Sequence, residues 1–175
     1  PQQDASTLGL SSFDNRLDLS GAAPLHASGV TLAPGRFDGG LRINGSDRLE
    51  YDAAGHLDPN QGSLELWVRP EWVWDDDEEH VFVEVGPSPL PSLSALGPVS
   101  DRAPNISLGP VSDRALRDSS YHLRLAKASW NGLYAWLTDG THDLVLYSGI
   151  DDWQPGQWHH LAVAWQAVQP GTSSE

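Results

Sequence analysis

Apolar and polar residues alternate one by one along several segments of this chain, which is the pattern of a half-buried β-strand. In GSLELWVRP the residues Leu64, Leu66 and Val68 share one face, until Pro70 ends the run. GQWHHLAVAWQ, which starts at Gly156, shows the same alternation, and EHVFVEVG is a further extended segment. Short strands separated by turn residues, without a sustained helical period, predict an all-β sandwich.

Two segments carry turn signals between extended runs. In GLYAWLTDGTHDLVLYSG, Asp139-Gly140 favours a type I′ turn, and pairing outward from it places Trp136 opposite Asp143. One face of this predicted hairpin carries Tyr134, Trp136, Asp143, Val145 and Tyr147. Within residues 41–51, two short runs flank the turn cluster Asn44-Gly45-Ser46-Asp47, which predicts a second hairpin.

The composition agrees with a single domain built from short strands. The 175 residues include 17 Gly and 13 Pro, and 39% of them are hydrophobic. We expect one domain over residues 1–175, interrupted by a Pro-, Ser- and Gly-rich loop insertion at 87–119. This loop contains LGPVSDRA twice, which indicates a duplicated loop rather than a repeat architecture. The loop is functional, disordered or docked on a neighbouring surface.

The chain carries 24 acidic and 10 basic residues, so its formal net charge is −14. Such a surface would repel a phosphate backbone, and nucleic acid is therefore not an expected partner. No apolar run approaches the length of a membrane span, so we expect no transmembrane segment. The charge suits a soluble extracellular protein or one that takes up cations, and the absence of Cys excludes disulfides.

Three segments, in the order GRFDGGLRINGSDRLEYD, GSLELWVRP and GQWHHLAVAW, resemble the motifs of laminin-G-like, concanavalin A-like jelly-roll domains. The resemblance covers residues 28–165 apart from the insertion. It implies two curved antiparallel sheets packed face to face, often with a calcium ion near one rim. It also implies a secreted protein that binds glycans, serves in adhesion or is an accessory domain of a larger protein.

The resemblance further implies closing strands after WHHLAVAW, whereas this sequence continues only to QAVQPGTSSE. We therefore expect a jelly roll that lacks its C-terminal closing strands, which would leave strand edges exposed. Either the sequence is a fragment of a larger protein, which we favour, or another chain supplies the missing strands by β-augmentation.

Two groups of aromatic and charged residues are candidates for a glycan-binding face. In jelly-roll lectins, aromatic rings cover the apolar face of a pyranose while carboxylates and Arg bind its hydroxyl groups. The candidate residues are Trp67, Glu65 and Arg69, together with Tyr134, Trp136, Asp143 and Tyr147. The alternative is that this face is a second buried surface, covered by the N-terminal segment or by the long loop.

The segment WVWDDDEEH concentrates five carboxylates, which makes Asp75, Asp76 and Asp77 candidate calcium ligands. Their spacing is not that of an EF-hand loop, and a solvated acidic loop is the alternative. The family resemblance would place a rim calcium at Asp38 or Asp47 instead.

The sequence offers little support for catalysis. Adjacent residues on a strand point in opposite directions, so His159 and His160 cannot bind one ion together. Glu79 and Glu84 are five residues apart, which predicts opposite faces of their strand. The E-x-D-x-x-E motif of the related glucanases is not present.

We therefore expect a non-catalytic extracellular module that binds glycans or neighbouring protein subunits. A structural subunit of an extracellular filament, fibre or virion tail, assembled by strand or loop exchange, is the first alternative. A secreted polysaccharide hydrolase or lyase is the second.

Overall fold

The computed structural model describes residues 7, 9–53, 57–58, 60–86, 121–138 and 143–166. These residues form ten β-strands and no helix, and every strand ladder is antiparallel. The all-β prediction is therefore confirmed, and the architecture is β-sandwich-like. The duplicated LGPVSDRA segment and the Asp139-Gly140 turn lie outside the described residues.

The chain divides into two compact units, Pro1–Leu57 and Asp58–Glu175. The first contains two antiparallel strand pairs, in which each strand is three or four residues long. The paired strands are β1 (His26–Ser28) with β4 (Arg48–Glu50), and β2 (Thr31–Pro34) with β3 (Gly39–Arg42). The β2–β3 connection is closed by a hydrogen bond from the Gly35 N–H to the Asp38 carbonyl, at 2.8 Å.

The predicted hairpin within residues 41–51 is wrong, because β3 pairs with β2 and β4 pairs with β1. The turn itself forms. The Asp47 N–H donates to the Asn44 carbonyl, and the Asp47 carboxylate accepts from the Asn44 N–H at 3.0 Å. Because the Asp47 side chain closes this turn, the turn does not require hydrogen-bonded pairing between β3 and β4. These two strands pair with β2 and β1 instead.

The second unit contains a four-stranded sheet and a two-stranded ribbon. The sheet follows the chain in the order β6 (His80–Val85), β7 (His122–Lys127), β8 (Gly132–Thr138) and β9 (Asp143–Gly149). The ribbon pairs β5 (Gln61–Val68) with β10 (His159–Gln166). Alternation along β10 is strict, since Leu161, Val163 and Trp165 are buried while the residues between them are exposed. The predicted faces of both ribbon strands are thereby confirmed.

The register of β8 and β9 differs by two residues from the prediction. Trp136 lies opposite Val145 rather than Asp143, and Thr138 lies opposite Asp143. This register places Leu137 beside Leu144 instead of His142, so apolar side chains meet across the strands. Because side chains alternate with a period of two, a shift of two leaves every residue on its predicted face.

The largest group of buried side chains lies on the central strands β7 and β8, in the residues that flank them and at Ile150 directly after β9. Its fully or nearly fully buried members include Tyr121, Leu123, Leu125, Ala126, Ala128, Tyr134, Leu137 and Ile150. These are the strands with a neighbour on each side, so they form the centre of the second unit.

Lys127 is fully buried at the end of β7. Its ammonium group donates to the Asp76 carboxylate, to the Glu78 carbonyl at 2.9 Å and to Asn131 Oδ1 at 2.9 Å. The Trp72 ring lies 5.7 Å from the same nitrogen. Three acceptors satisfy the three ammonium donors, so the acidic loop is fixed to the sheet by one buried cation.

The Asp76 carboxylate is 18% exposed and accepts hydrogen bonds from Lys127, from His80 and from the Glu78 N–H. Partial burial disfavours its ionised form, but the hydrogen bonds from Lys127 and His80 outweigh burial and lower the pKa of Asp76 to about 2. The stabilisation is therefore complete above the ordinary pKa of 3.8 and is lost as the pH falls towards 2.

We expect Asp76→Asn to lower the free energy of unfolding at pH 7 by about 3 kcal/mol, because it leaves the Lys127 ammonium buried without a counter-charge. Chemical denaturation between pH 7 and pH 2 measures this. The variant should also lose part of the wild-type decline in stability between pH 4 and pH 2. Asp75→Asn is the matched control, since the neighbouring Asp75 is exposed and should behave as wild type. Equal stability of the two variants would contradict this account.

Candidate functional site

The predicted glycan-binding residues lie on two different sheets of the second unit. Glu65 and Trp67 are on β5 of the ribbon, and Arg69 follows directly after it. The remaining four candidates, Tyr134, Trp136, Asp143 and Tyr147, lie on β8 and β9 of the four-stranded sheet. The two groups are therefore two separate surfaces.

In the group on β8 and β9, the two β8 residues are buried and the two β9 residues are exposed. Tyr134 is 2% exposed and Trp136 is 8% exposed, while Tyr147 is 42% exposed. The Trp136 indole N–H donates to Asp143 Oδ1 at 3.2 Å. Tyr134 and Trp136 thus match the alternative of a buried surface, and of the three rings only Tyr147 is substantially open to solvent.

A charged cluster that the sequence did not predict lies beside Tyr134. One terminal nitrogen of Arg124 lies 3.5 Å from Glu79 Oε2 and 3.7 Å from Glu84 Oε2. The Tyr134 hydroxyl donates to Glu79 Oε1 at 2.8 Å. Burial raises the pKa of Tyr134, and the hydrogen bond to Glu79 raises it further. Arg124 provides the counter-charge for two partly buried carboxylates.

Glu79 directly precedes β6 and Glu84 lies on it, and both approach the same Arg124 nitrogen, so the prediction that they face opposite sides is wrong. A register shift between Val81 and Val83 interrupts the pairing of β6 with β7. Such an irregularity changes the parity of the strand, so residues an odd number apart can face the same side. Both carboxylates consequently approach Arg124. Nothing in the EHVFVEVG segment signals this irregularity.

The outer face of the ribbon carries a set of aromatic and charged side chains that are exposed, apart from the half-buried Trp158. Trp67 lies opposite His160, and their rings stack at 4.9 Å with an interplanar angle of 28°. Glu65 Oε2 lies 3.6 Å from His160 Nε2. The Arg69 guanidinium carbon lies 5.3 Å from the centre of the Trp158 ring. We call this set, Glu65, Trp67, Arg69, Trp158 and His160, the aromatic platform.

The strand pattern explains why these side chains meet. Glu65, Trp67 and Arg69 alternate with Leu64, Leu66 and Val68, so one set faces the interior and the other faces solvent. A hydrogen bond of 2.7 Å from the Gly156 N–H to the Pro70 carbonyl joins the two chain segments at the end of the ribbon where Val68 pairs with His159.

The two histidines of GQWHHLAVAWQ lie on opposite sides of the ribbon, as predicted. His159 stacks on Trp153 at 4.0 Å, whereas His160 stacks on Trp67. Trp158 and His160 are the two members of the platform that the sequence did not predict as binding residues. The pairing of β5 with β10 was needed to place His160 beside Trp67.

The candidate calcium ligands are already engaged in hydrogen bonds at several positions. Asp76 binds Lys127 and His80, and Asp77 Oδ1 accepts from the Asn131 amide at 2.7 Å. A buried ammonium at Asp76 would repel a second cation there. The alternative of a solvated loop describes Asp75, which is exposed, but not Asp76.

In the first unit, the Asp47 carboxylate closes its own turn, and Asp38 contributes its backbone carbonyl to the β2–β3 turn. Among the residues that the structure describes, no group of three or more His, Asp or Glu side chains could bind a metal ion. Calcium binding stays a prediction of the family resemblance.

We expect Tyr134→Phe to lower the free energy of unfolding by about 1 kcal/mol, because it removes the hydrogen bond to Glu79 and retains the ring. Tyr147→Phe is the matched control, since Tyr147 is exposed, and it should change stability by about 0.5 kcal/mol or less. Urea denaturation of both variants at pH 7 measures the difference. If Tyr134→Phe is as stable as the control variant, the hydrogen bond from Tyr134 to Glu79 does not stabilise the fold.

Comparisons with known proteins add no support to the family resemblance seen in the sequence. No family model, no curated protein and no solved structure matches this chain. Within the part of the chain that the structure describes, no helix is long and apolar enough to cross a membrane. The described residues of the structure establish an all-β, β-sandwich-like architecture with antiparallel sheets.

Proposed function

We propose that this protein is a non-catalytic, extracellular carbohydrate-binding module and that the aromatic platform on β5 and β10 is its glycan-contacting surface. The observation that supports it best is the exposed stack of Trp67 on His160, with Glu65 beside it. An aromatic ring with an open face and polar groups at its edge is the arrangement that binds a pyranose.

The apolar part of the platform has room for a sugar ring. Trp67 is 40% exposed, although it is a large aromatic residue on a strand. Along β10, the positions that follow His160 on the same face are Ala162 and Ala164, which are exposed and small. A pyranose could therefore approach the Trp67 ring over a shallow surface without a large side chain in the way.

The polar part of the platform supplies both donors and acceptors for sugar hydroxyls. Glu65 is 64% exposed and offers carboxylate oxygens, while Arg69 offers guanidinium donors. Arg69 is oriented by Glu71, at 3.1 Å, and by the Trp158 ring. These contacts restrict the side chains before a ligand arrives, which reduces the entropy lost on binding.

The charge of the chain restricts the class of glycan. With a formal net charge of −14, the protein would repel sulfated or carboxylated polysaccharides at low ionic strength. We therefore propose neutral glycans as the ligands.

Assembly through an exposed strand edge is a second candidate function, in which the chain is a subunit of an extracellular filament, fibre or virion tail. The edge strand β9 exposes Leu146 and Tyr147, at 46% and 42%. Exposed apolar edge strands favour the addition of a further strand. Sedimentation over a range of protein concentrations tests this, and a monomer at every concentration would count against it.

We expect the wild-type protein to bind at least one neutral polysaccharide in a panel that also contains sulfated and carboxylated ones. Trp67→Ala should weaken this binding about tenfold or more, because stacking on the indole is lost while the fold, monitored by circular dichroism, is retained. Isothermal titration calorimetry, with calcium and then with a chelator, gives the affinities.

Tyr147→Ala is the matched control, since it removes an equally exposed ring from the other predicted surface. Loss of binding in Tyr147→Ala but not in Trp67→Ala would move the site to the four-stranded sheet. Absence of binding to every member of the panel would contradict the glycan proposal.

A further inference from the structure

The ribbon of β5 and β10 leaves one edge of β10 without a strand partner. All eight residues of β10 pair with β5, and among the described residues no other strand pairs with β10. A free edge of this length presents a row of backbone N–H and C=O groups to which a further strand can bind. β10 is therefore a candidate site for the addition of a strand from a second polypeptide.

β10 lacks the charged side chains that commonly protect a free edge. Among the described strands of six or more residues, only β8 and β10 contain no Asp, Glu, Lys or Arg. β8 has a neighbour on each side, whereas β10 has β5 alone. The strands β5, β6 and β9 also have a free edge, and each contains a carboxylate, Glu65, Glu84 or Asp143. The edge of β10 is thus the one among them that is open to strand addition without a charge to oppose it.

A half-open cavity of about 340 Å³ lies along this edge. Four consecutive residues of β10, 159–162, line it, although neighbouring side chains on a strand point to opposite faces. The cavity is therefore reached at the edge of β10 rather than from one of its faces. None of the described residues that line it belongs to β5, so it lies on the side of β10 away from β5.

The lining of the cavity fits an extended peptide. It combines the apolar side chains of Leu125, Leu133 and Leu161 with the polar side chains of Ser148 and His160. An added strand directs its backbone polar groups towards the edge and every second side chain towards one face. Leu125 and Leu133 belong to β7 and β8, and they form the apolar surface over which such side chains can lie. A single class of ligand thus fits both the polar and the apolar parts of the lining.

The rim of the cavity is acidic. Asp151 and Asp152 directly follow the lining residue Ile150, and both are exposed. Asp151 lies against a second lining residue, since a Cβ atom added at Gly149 would be 3.3 Å from Asp151 Oδ1. The chain as a whole has a formal net charge of −14. A basic peptide is therefore attracted to this rim, and an acidic peptide is repelled.

We propose that the free edge of β10 binds an extended basic peptide segment of another protein as an added strand. One apolar side chain of the peptide lies over Leu125 and Leu133, and a Lys or Arg side chain lies beside Asp151. The edge adjoins the aromatic platform, because His160 belongs to both, but the proposal does not depend on glycan binding. It also differs from assembly through β9, which uses another edge and a second copy of this chain.

Phage display of random heptapeptides tests the proposal, with selection on the wild-type protein and counter-selection on Leu133→Trp, which fills part of the cavity. We expect the selected sequences to alternate apolar residues with Lys or Arg and to lack Asp and Glu. A synthetic peptide of the most enriched sequence should bind about tenfold more tightly than a copy in which Glu replaces each Lys and Arg. Isothermal titration calorimetry gives the affinities.

Methylation of the peptide backbone tests whether the peptide binds as a strand. In one copy of the peptide the odd-numbered backbone nitrogens are methylated, and in a second copy the even-numbered ones. Alternate N–H groups of an added strand face the edge that it pairs with, so one copy should bind about tenfold or more weakly. The other copy is the matched control, because its methyl groups point away from β10, and it should bind as the unmodified peptide does.

Two pairs of variants assign the binding to this edge. Asp151→Lys should reduce the preference for the basic peptide to about threefold or less. Asp75→Lys makes the same change of net charge at an exposed position that does not line the cavity, and should retain the preference. Leu133→Trp should abolish binding, whereas Leu146→Trp, at an exposed position of β9 outside the cavity, should bind as the wild type does.

The proposal is overturned if no sequence is enriched on the wild type, if both methylated peptides bind alike, or if Asp151→Lys and Asp75→Lys show the same preference. Sedimentation without peptide tests a second copy of the chain as the occupant. A dimer that Leu133→Trp dissociates would assign the edge to that copy and overturn the peptide proposal. Should Leu133→Trp fail to fold, the methylated peptides and the two Asp variants decide the matter.

Discussion

The buried ammonium group of Lys127 is the constraint on which the rest of the second unit depends. A fully buried cation requires a counter-charge and partners for its three donors. Asp76, the Glu78 carbonyl and Asn131 provide them, and this fixes the acidic loop to the end of β7. The interaction fixes the position of the acidic loop but does not add a large net stability, because desolvation of the charges opposes their attraction.

From this point a row of stacked rings extends towards β10. His80 stacks on Trp72 at 4.3 Å, Trp72 on Trp153 at 6.3 Å, and Trp153 on His159 at 4.0 Å. The row links the loop that Lys127 fixes to the first residue of β10. Alternation along β10 then directs His159 to Trp153 and His160 to Trp67 of the aromatic platform.

The features that the sequence predicted well are those that follow from the two-residue alternation of side chains along a β-strand. The faces of β5, β10 and the β8–β9 hairpin follow from alternation, and they survive even where the register is shifted by two residues. Pairing partners and buried charges depend on contacts distant in the chain. Three features have no local signature: the irregularity near Phe82, the pairing of β4 with β1, and the burial of Lys127 between distant acceptors. Trp67 could be singled out as a ligand-binding residue, but its partner His160 could not.

The state of the Lys127 side chain tests this account most directly. Lys127 is the single Lys in the chain, so its 15Nζ resonance is unambiguous in an NMR spectrum. The account predicts a charged ammonium group whose protons exchange slowly with water and show through-space contacts to the Asn131 amide and the Trp72 ring. Rapidly exchanging ammonium protons without those contacts would show that Lys127 is solvated, and would contradict the account.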